Sequence, residues 1–262
     1  MKIFLTIITA GFIINLYSQP STDYKMDLLS IEFSVMSSND RSNIQELIIQ
    51  KSEILKDNGL FSDALDELNR IDTSLYKNTT ELCYLKSLNF FLMKDYTQCY
   101  NSLLEIFDST RTGINKYTVL WLFTLNEMGR WDECKKTLLE VCETNSTDYQ
   151  VINNLPVLIP SKSPLKAIKL SGYFPGLGQI YSGYPFRGIT SLVLISAFTS
   201  VAVIGIMSGL YVTSVVWGLL PVIKLYLGGR QFSYKLANKK NEENTNLLKQ
   251  EYLKIIISIE NN

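Results

Sequence analysis

The sequence predicts an all-α protein: a signal peptide, an array of helical hairpins, then a transmembrane helical hairpin. Three observations predict it. Blocks of like residues recur at a constant spacing of 35, a later run of 36 residues holds no charge, and the chain opens on one lysine ahead of an apolar stretch. At 262 residues there is room for one large domain or two small ones.

The first element is the opening stretch. Lys2 precedes uncharged, apolar residues 3–17, which are too short for a comfortable membrane crossing and have the form of a signal-peptide core. Cleavage is expected after Ser18, which is suitably small, although Leu16 departs from the small residue wanted two positions earlier. Residues 1–18 are therefore assigned as the signal. Export would place Cys83, Cys99, Cys134 and Cys142 where disulfides can form. Their spacing offers no CxxC pair, and Cys134 and Cys142 stand eight apart on one predicted helix. That is about 12 Å along its axis at 1.5 Å per residue, beyond the reach of a disulfide. The cysteines read as small core residues.

Residues 19–160 form the predicted helical-repeat domain. They hold 21 acidic and 13 basic residues, whereas 161–262 hold 4 acidic and 11 basic. The whole chain is neutral, which argues against a nucleic-acid partner held by bulk charge. It also has no histidine, and with that the usual general base, metal ligand and pH switch are missing. No catalytic residue, metal ligand or cofactor site is assigned, and the chain is expected not to be an enzyme. Glu46, Glu53 and Glu81 share one proposed face, but carboxylates on helix surfaces are ordinarily solvated.

The repeat is legible in three blocks: GLFSDALDEL from Gly59, KDYTQCYNSL from Lys94 and GRWDECKKTL from Gly129. In register, the aromatics Phe61, Tyr96 and Trp131 coincide, then the small residues Ala64, Cys99 and Cys134, then Leu68, Leu103 and Leu138. These positions fall three and four apart, so they mark one buried helical face. A second helical stretch precedes each block, at 44–56, 80–93 and 117–128. The small position is where two helices of a hairpin approach closely, and cysteine fills it as a small apolar residue.

These residues, over about 44–143, resemble the tetratricopeptide repeat, with a glycine before an aromatic at the turn, a small residue, then large apolar ones. The period is one longer than the usual ~34, Lys94 replaces the turn glycine in the second block, and the closing proline is missing. The resemblance implies that the first helix of each pair lines a concave face. The matching positions are Glu46, Ile49, Glu53 and Lys56; Glu81, Tyr84, Leu88 and Phe91; and Lys116, Val119, Phe123 and Asn126. Exposed, Tyr84, Leu88, Phe91, Val119 and Phe123, with Asn126 beside them, would be a groove for a partner protein or peptide. The other reading is that the chain itself covers them, through 23–35, 149–158 or the tail.

Residues 161–241 are assigned to a membrane domain. Five prolines between Pro156 and Pro185 mark its border. Residues 188–223 carry no charge, too long for one crossing of ~20 residues and nearly enough for two. Helices are expected at 188–206 and 210–227, turning at GIMSG (205–209), with Pro221 tolerated inside the second and Lys224 snorkelling near its end. Ahead of them, PGLGQIYSG resembles the motif P-G-x-G-Q-x-Y-x-G that opens small two-helix membrane domains of uncharacterised function in bacterial envelope proteins. Pro175, Gly176, Gly178, Gln179, Tyr181 and Gly183 match in order, and Gly188 fits the small residue that follows. The resemblance covers about 164–241 and implies no catalysis. A phosphate cradle is disfavoured, since no strand precedes the glycines and no Lys-Ser/Thr pair follows.

Topology pulls two ways. A cleaved signal puts the repeats outside the inner membrane, and two crossings return the tail there, yet Lys162, Lys166, Lys169, Arg187, Arg230, Lys235, Lys239 and Lys240 flank the hairpin on that face, and basic flanks prefer the cytoplasm. Either 170–186 also spans, or the bias is overridden. Residues 242–262 form an amphipathic tail that suits lipid or the repeats. The expected function is protein interaction or assembly in the bacterial cell envelope, with membrane lipid as a second partner. The alternative is handling of lipid or a small solute through the hairpin.

Overall fold

Asp40, Asn78 and Asn115 take up free backbone N–H groups at helix starts: Asp40 accepts from Ser42, Asn78 from Glu81, and Asn115 from Tyr117 and Thr118. Such side chains satisfy donors that the first helical turn leaves unpaired. In the computed structural model these caps open α2 (Arg41–Asp57), α4 (Thr79–Leu92) and α6 (Lys116–Met128). Each is followed by a partner: α3 (Phe61–Asn69), α5 (Tyr96–Thr110) and α7 (Trp131–Val141). The helix α1 (Tyr24–Ser37) precedes the pairs and α8 (Thr147–Asn153) follows them. The structure describes residues 24–38, 40–73, 76–110, 115–142 and 147–261, all helix and connection with no strand among them. The expected signal peptide lies outside these residues.

One turn joins the helices of each pair. Gly59, Lys94 and Gly129 have φ of 78°, 63° and 71°. The residue after each donates its N–H five residues back, Leu60 to Leu55, Asp95 to Phe90 and Arg130 to Leu125, at 2.9–3.0 Å. A left-handed residue closing a helix in this way satisfies its last carbonyls. The partner helix then begins at the aromatic, Phe61, Tyr96 or Trp131. Ala64, Cys99 and Cys134 are wholly buried, as are Leu68 and Leu138, with Leu103 at 1% exposure. Removing such a leucine from water is worth roughly 2–3 kcal/mol.

The chain divides into two units. The first runs to Val157 and takes back the segment from Glu251; the second is Leu158–Gln250. The second contains α9 (Pro164–Tyr173), α10 (Leu177–Tyr181), α11 (Pro185–Met207) and α12 (Tyr211–Ser214), then a π-helical stretch, Val215–Leu219, that runs into α13 (Leu220–Asn261). The π stretch stands immediately ahead of Pro221, whose ring would clash with the carbonyl four residues back and which has no N–H to donate; the wider turn absorbs both.

Two expectations about boundaries change. The first candidate membrane helix begins at Pro185 rather than 188, because proline suits a first helical position. The second does not stop at 227, nor is 242–262 a separate tail: α13 is continuous to Asn261, since neither Gly nor Pro occurs after Gly229. Residues 170–186 are not one helix. They break at Phe174, extended as a residue before proline must be, and again at Gly183.

Candidate functional site

The first candidate is the inner face of α4 and α6. Tyr84, Leu88, Val119, Phe123 and Asn126 are buried, and Phe91 is half-buried. Phe91 packs edge-on to Tyr96 at 5.4 Å between centroids and lies 6.4 Å from Phe123. Tyr84 meets Tyr117 edge-on at 5.3 Å, and the Lys116 ammonium, paired with Glu81 at 2.5 Å, sits 4.7 Å over the Tyr84 ring. The structure thus brings the six groove residues of the sequence together, but the face is closed rather than open.

The end of α13 belongs to the same unit. Tyr252, Ile256 and Ile259 fall four and three apart on one helical face, and all are buried within the first unit. The Tyr252 hydroxyl donates to the carbonyl oxygens of Trp131 (3.5 Å) and Pro156 (3.3 Å). At the other end, the charge of Glu260 reaches Tyr84: burial, then Glu81, Tyr117 and Glu260, hold the Tyr84 phenol above its ordinary range. Burial also raises the Glu260 carboxyl above the usual range. Glu81 is bonded to Lys116 and Tyr117. Among the described residues no cluster of three potential metal ligands occurs.

The cysteines are free thiols: Cys99 and Cys134 are buried, Cys83 and Cys142 half-buried. Burial pushes Cys99 up to about 11 and Cys134 up to about 12, so neither supplies a thiolate near neutral pH.

The second candidate is the glycine-rich motif, whose geometry is close packing. A Cβ on Gly176, at φ 88°, would lie 2.1 Å from the carbonyl oxygen of Gly188, and one on Gly188 would lie 2.6 Å from that of Gly176. A Cβ on Gly178 would be 2.0 Å from the Ala167 carbonyl oxygen. The Gly178 N–H donates to Ser171 at 3.1 Å. The Tyr181 hydroxyl accepts from the Ser163 N–H at 3.2 Å, with the Lys162 and Lys166 ammonium groups 5.2 and 5.4 Å from its ring. Pro175 and Gly183 sit at the two helix breaks, and Gln179 is buried. Sequence reasoning missed Ala167 and Ser171, the small residues on α9 that receive the glycines. The 4-residue spacing of two small residues on a helix was the available signal.

The third candidate is the hairpin. The two helices, Pro185–Met207 and the composite helix from Tyr211, are long and apolar enough to cross a membrane, and none of the apolar stretch of the first is buried. They meet through small residues: a Cβ on Gly218 would lie 2.5 Å from that of Ala202, and one on Gly205 would lie 2.2 Å from Ser214 Oγ. Elsewhere Val193, Ile204, Val212 and Trp217 stand exposed. No family model, curated protein or solved structure matches the chain.

Proposed function

We propose that the protein is a membrane-anchored helical-repeat scaffold, tetratricopeptide-like in its pairs, that mediates protein assembly in the bacterial cell envelope. The observation that carries this reading is the exposed, uncharged hairpin joined through an unbroken helix to a segment of the repeat unit. Because the repeats and residues from Glu251 belong to one unit, an even number of crossings between them is required. That supports two spans and disfavours a third at 170–186, where the helix is broken twice.

With the inner face buried, and taken here to be covered by the end of α13, partner binding moves to α1. Met26, Leu29, Phe33 and Met36 are 65–78% exposed and fall three, four and three apart, a single apolar stripe without a cover among the described residues. A photoreactive residue at Phe33 should give a higher-mass adduct in membranes, whereas one at Tyr84 should not. The reverse pattern would return the partner to the inner face. Washing membranes with alkaline carbonate should leave the protein in the pellet, and its release would overturn the anchored reading. In the inner membrane with exported repeats, a phosphatase fused to the C-terminus should be active. Activity only from a cytoplasmic reporter would reverse that orientation.

A further inference from the structure

We propose that the base of the hairpin carries a binding site for the headgroup of an anionic phospholipid. A groove of about 660 Å³ lies between the start of α11 and α13. Arg187 and Lys224 line it, and neither has a carboxylate partner among the described residues. Leu158–Gln250 carries only two acidic residues, Glu242 and Glu243, against ten basic ones, so this excess of positive charge is not neutralised from within the unit. Glu243 is engaged with Tyr184, Lys239 and Lys240.

The floor of the groove is open. Gly228 has open space where a side chain would begin, and the equivalent point over Gly229 lies 3.7 Å from Ser191 Oγ and 3.8 Å from Gln179 Nε2. Gln179 is only 3% exposed, lines this groove, and its amide makes no hydrogen bond among the described residues. The amide faces the groove with its hydrogen-bonding capacity unspent and can donate to what sits there. Two cations, an amide donor and a hydroxyl therefore line one space.

A phosphodiester headgroup supplies the negative charge and acceptor oxygens this set lacks. The apolar wall at Leu194 continues into the exposed face of α11. Acyl chains attached to the bound phosphate can follow that face, which favours a lipid over a soluble phosphate. This proposal rests on the membrane reading of the hairpin and adds a selectivity that anchoring alone does not require.

The test uses the full-length protein in neutral detergent with equimolar phosphatidylglycerol and phosphatidylcholine, the bound lipids being read by native mass spectrometry. Phosphatidylglycerol should be retained over phosphatidylcholine by about tenfold. Arg187→Gln with Lys224→Gln should bring the ratio close to one. Gly228→Leu, which fills the groove without altering charge, should do the same and decides the matter alone if the double variant fails to fold. Lys169→Gln with Lys235→Gln, an equal charge loss outside the groove, should leave the ratio intact. Selectivity that survives Gly228→Leu, or falls equally in the control pair, would overturn the site. Displacement of the lipid by millimolar glycerol phosphate would overturn the lipid assignment in favour of a soluble anion. Carbonate extraction of the same protein reports separately on anchoring.

Discussion

The pair α2/α3 and the pair α11/α12 reverse the chain in the same way and then present opposite surfaces. Gly59 and Gly209 have φ of 78° and 75°. Leu60 and Leu210, the residues after them, have φ/ψ of −89°/60° and −89°/61°, and each donates five residues back at 2.9 Å. Three residues into the second helix stands a buried small residue, Ala64 in one and Ser214 in the other. Lys94, Gly129 and Gly183 repeat the turn, and Cys99, Cys134 and Gly188 repeat the small residue. Turn chemistry is a property of the local chain and does not depend on the solvent. The exteriors differ. The repeat pairs bury large leucines, whereas the hairpin leaves its large residues exposed and closes on glycine, alanine and serine. In lipid, apolar area gives helices little reason to associate, so closeness of approach must hold them together.

The largest effect expected from this contrast is at Gly218. Leucine there would drive into Ala202, and the hairpin should lose about 3 kcal/mol or more of resistance to denaturing detergent. If Gly218→Leu is tolerated, close approach is not what holds the hairpin. In the repeats, Ala64→Leu should cost about 1–3 kcal/mol in urea unfolding, because the site is wholly buried and leucine would overpack it.

Turn substitutions sharpen the comparison further. Gly129→Ala and Gly209→Ala should each cost about 1 kcal/mol despite their different surroundings, since the strain lies in the backbone. Lys94→Gly should raise repeat stability by about 0.5–1 kcal/mol, as the described non-glycine residue held at positive φ. A cost in place of that gain would mean Lys94 is held by more than the turn.

The smallest effect is electrostatic. Lys51 on α2 bonds Glu32 on α1 at 2.6 Å and Glu67 on α3 at 2.7 Å, with Arg70 alongside. The bond to Lys51 lowers the Glu32 carboxyl below its ordinary 4.5. A depressed carboxyl contributes stability that is complete above the unfolded value and is lost as pH falls through the folded one. Amide protection in α1, taken relative to the intrinsic exchange rate at each pH, should therefore fall below pH 4.5, and Glu32→Gln should abolish the change.

The helix pairs were legible because period, turn residue and small residue all speak at the same register. The turn at Lys94 was legible as a departure, and the structure shows the lysine adopting the glycine conformation. Residues 170–186 announced their breaks through Pro175 and Gly183. Continuity of α13 was harder to read. The change from apolar to charged surface near Lys235 looks like a boundary in composition, while the backbone obeys the missing Gly and Pro instead. The docking place of the tail was one of several open readings, because Tyr252, Ile256 and Ile259 give an apolar face but no address. Only the hydrogen bonds of Tyr252 supply one.

That occupancy is the point on which the account turns. A benzophenone side chain at position 260 (Glu260→p-benzoylphenylalanine), activated by light in intact membranes, reads it directly. The account predicts a cross-link within the same chain, to the peptide carrying Tyr84, with no change in the mass of the intact protein. Absence of that cross-link, together with an adduct to a second protein at the same position, would mean that the inner face is open and that α13 ends elsewhere.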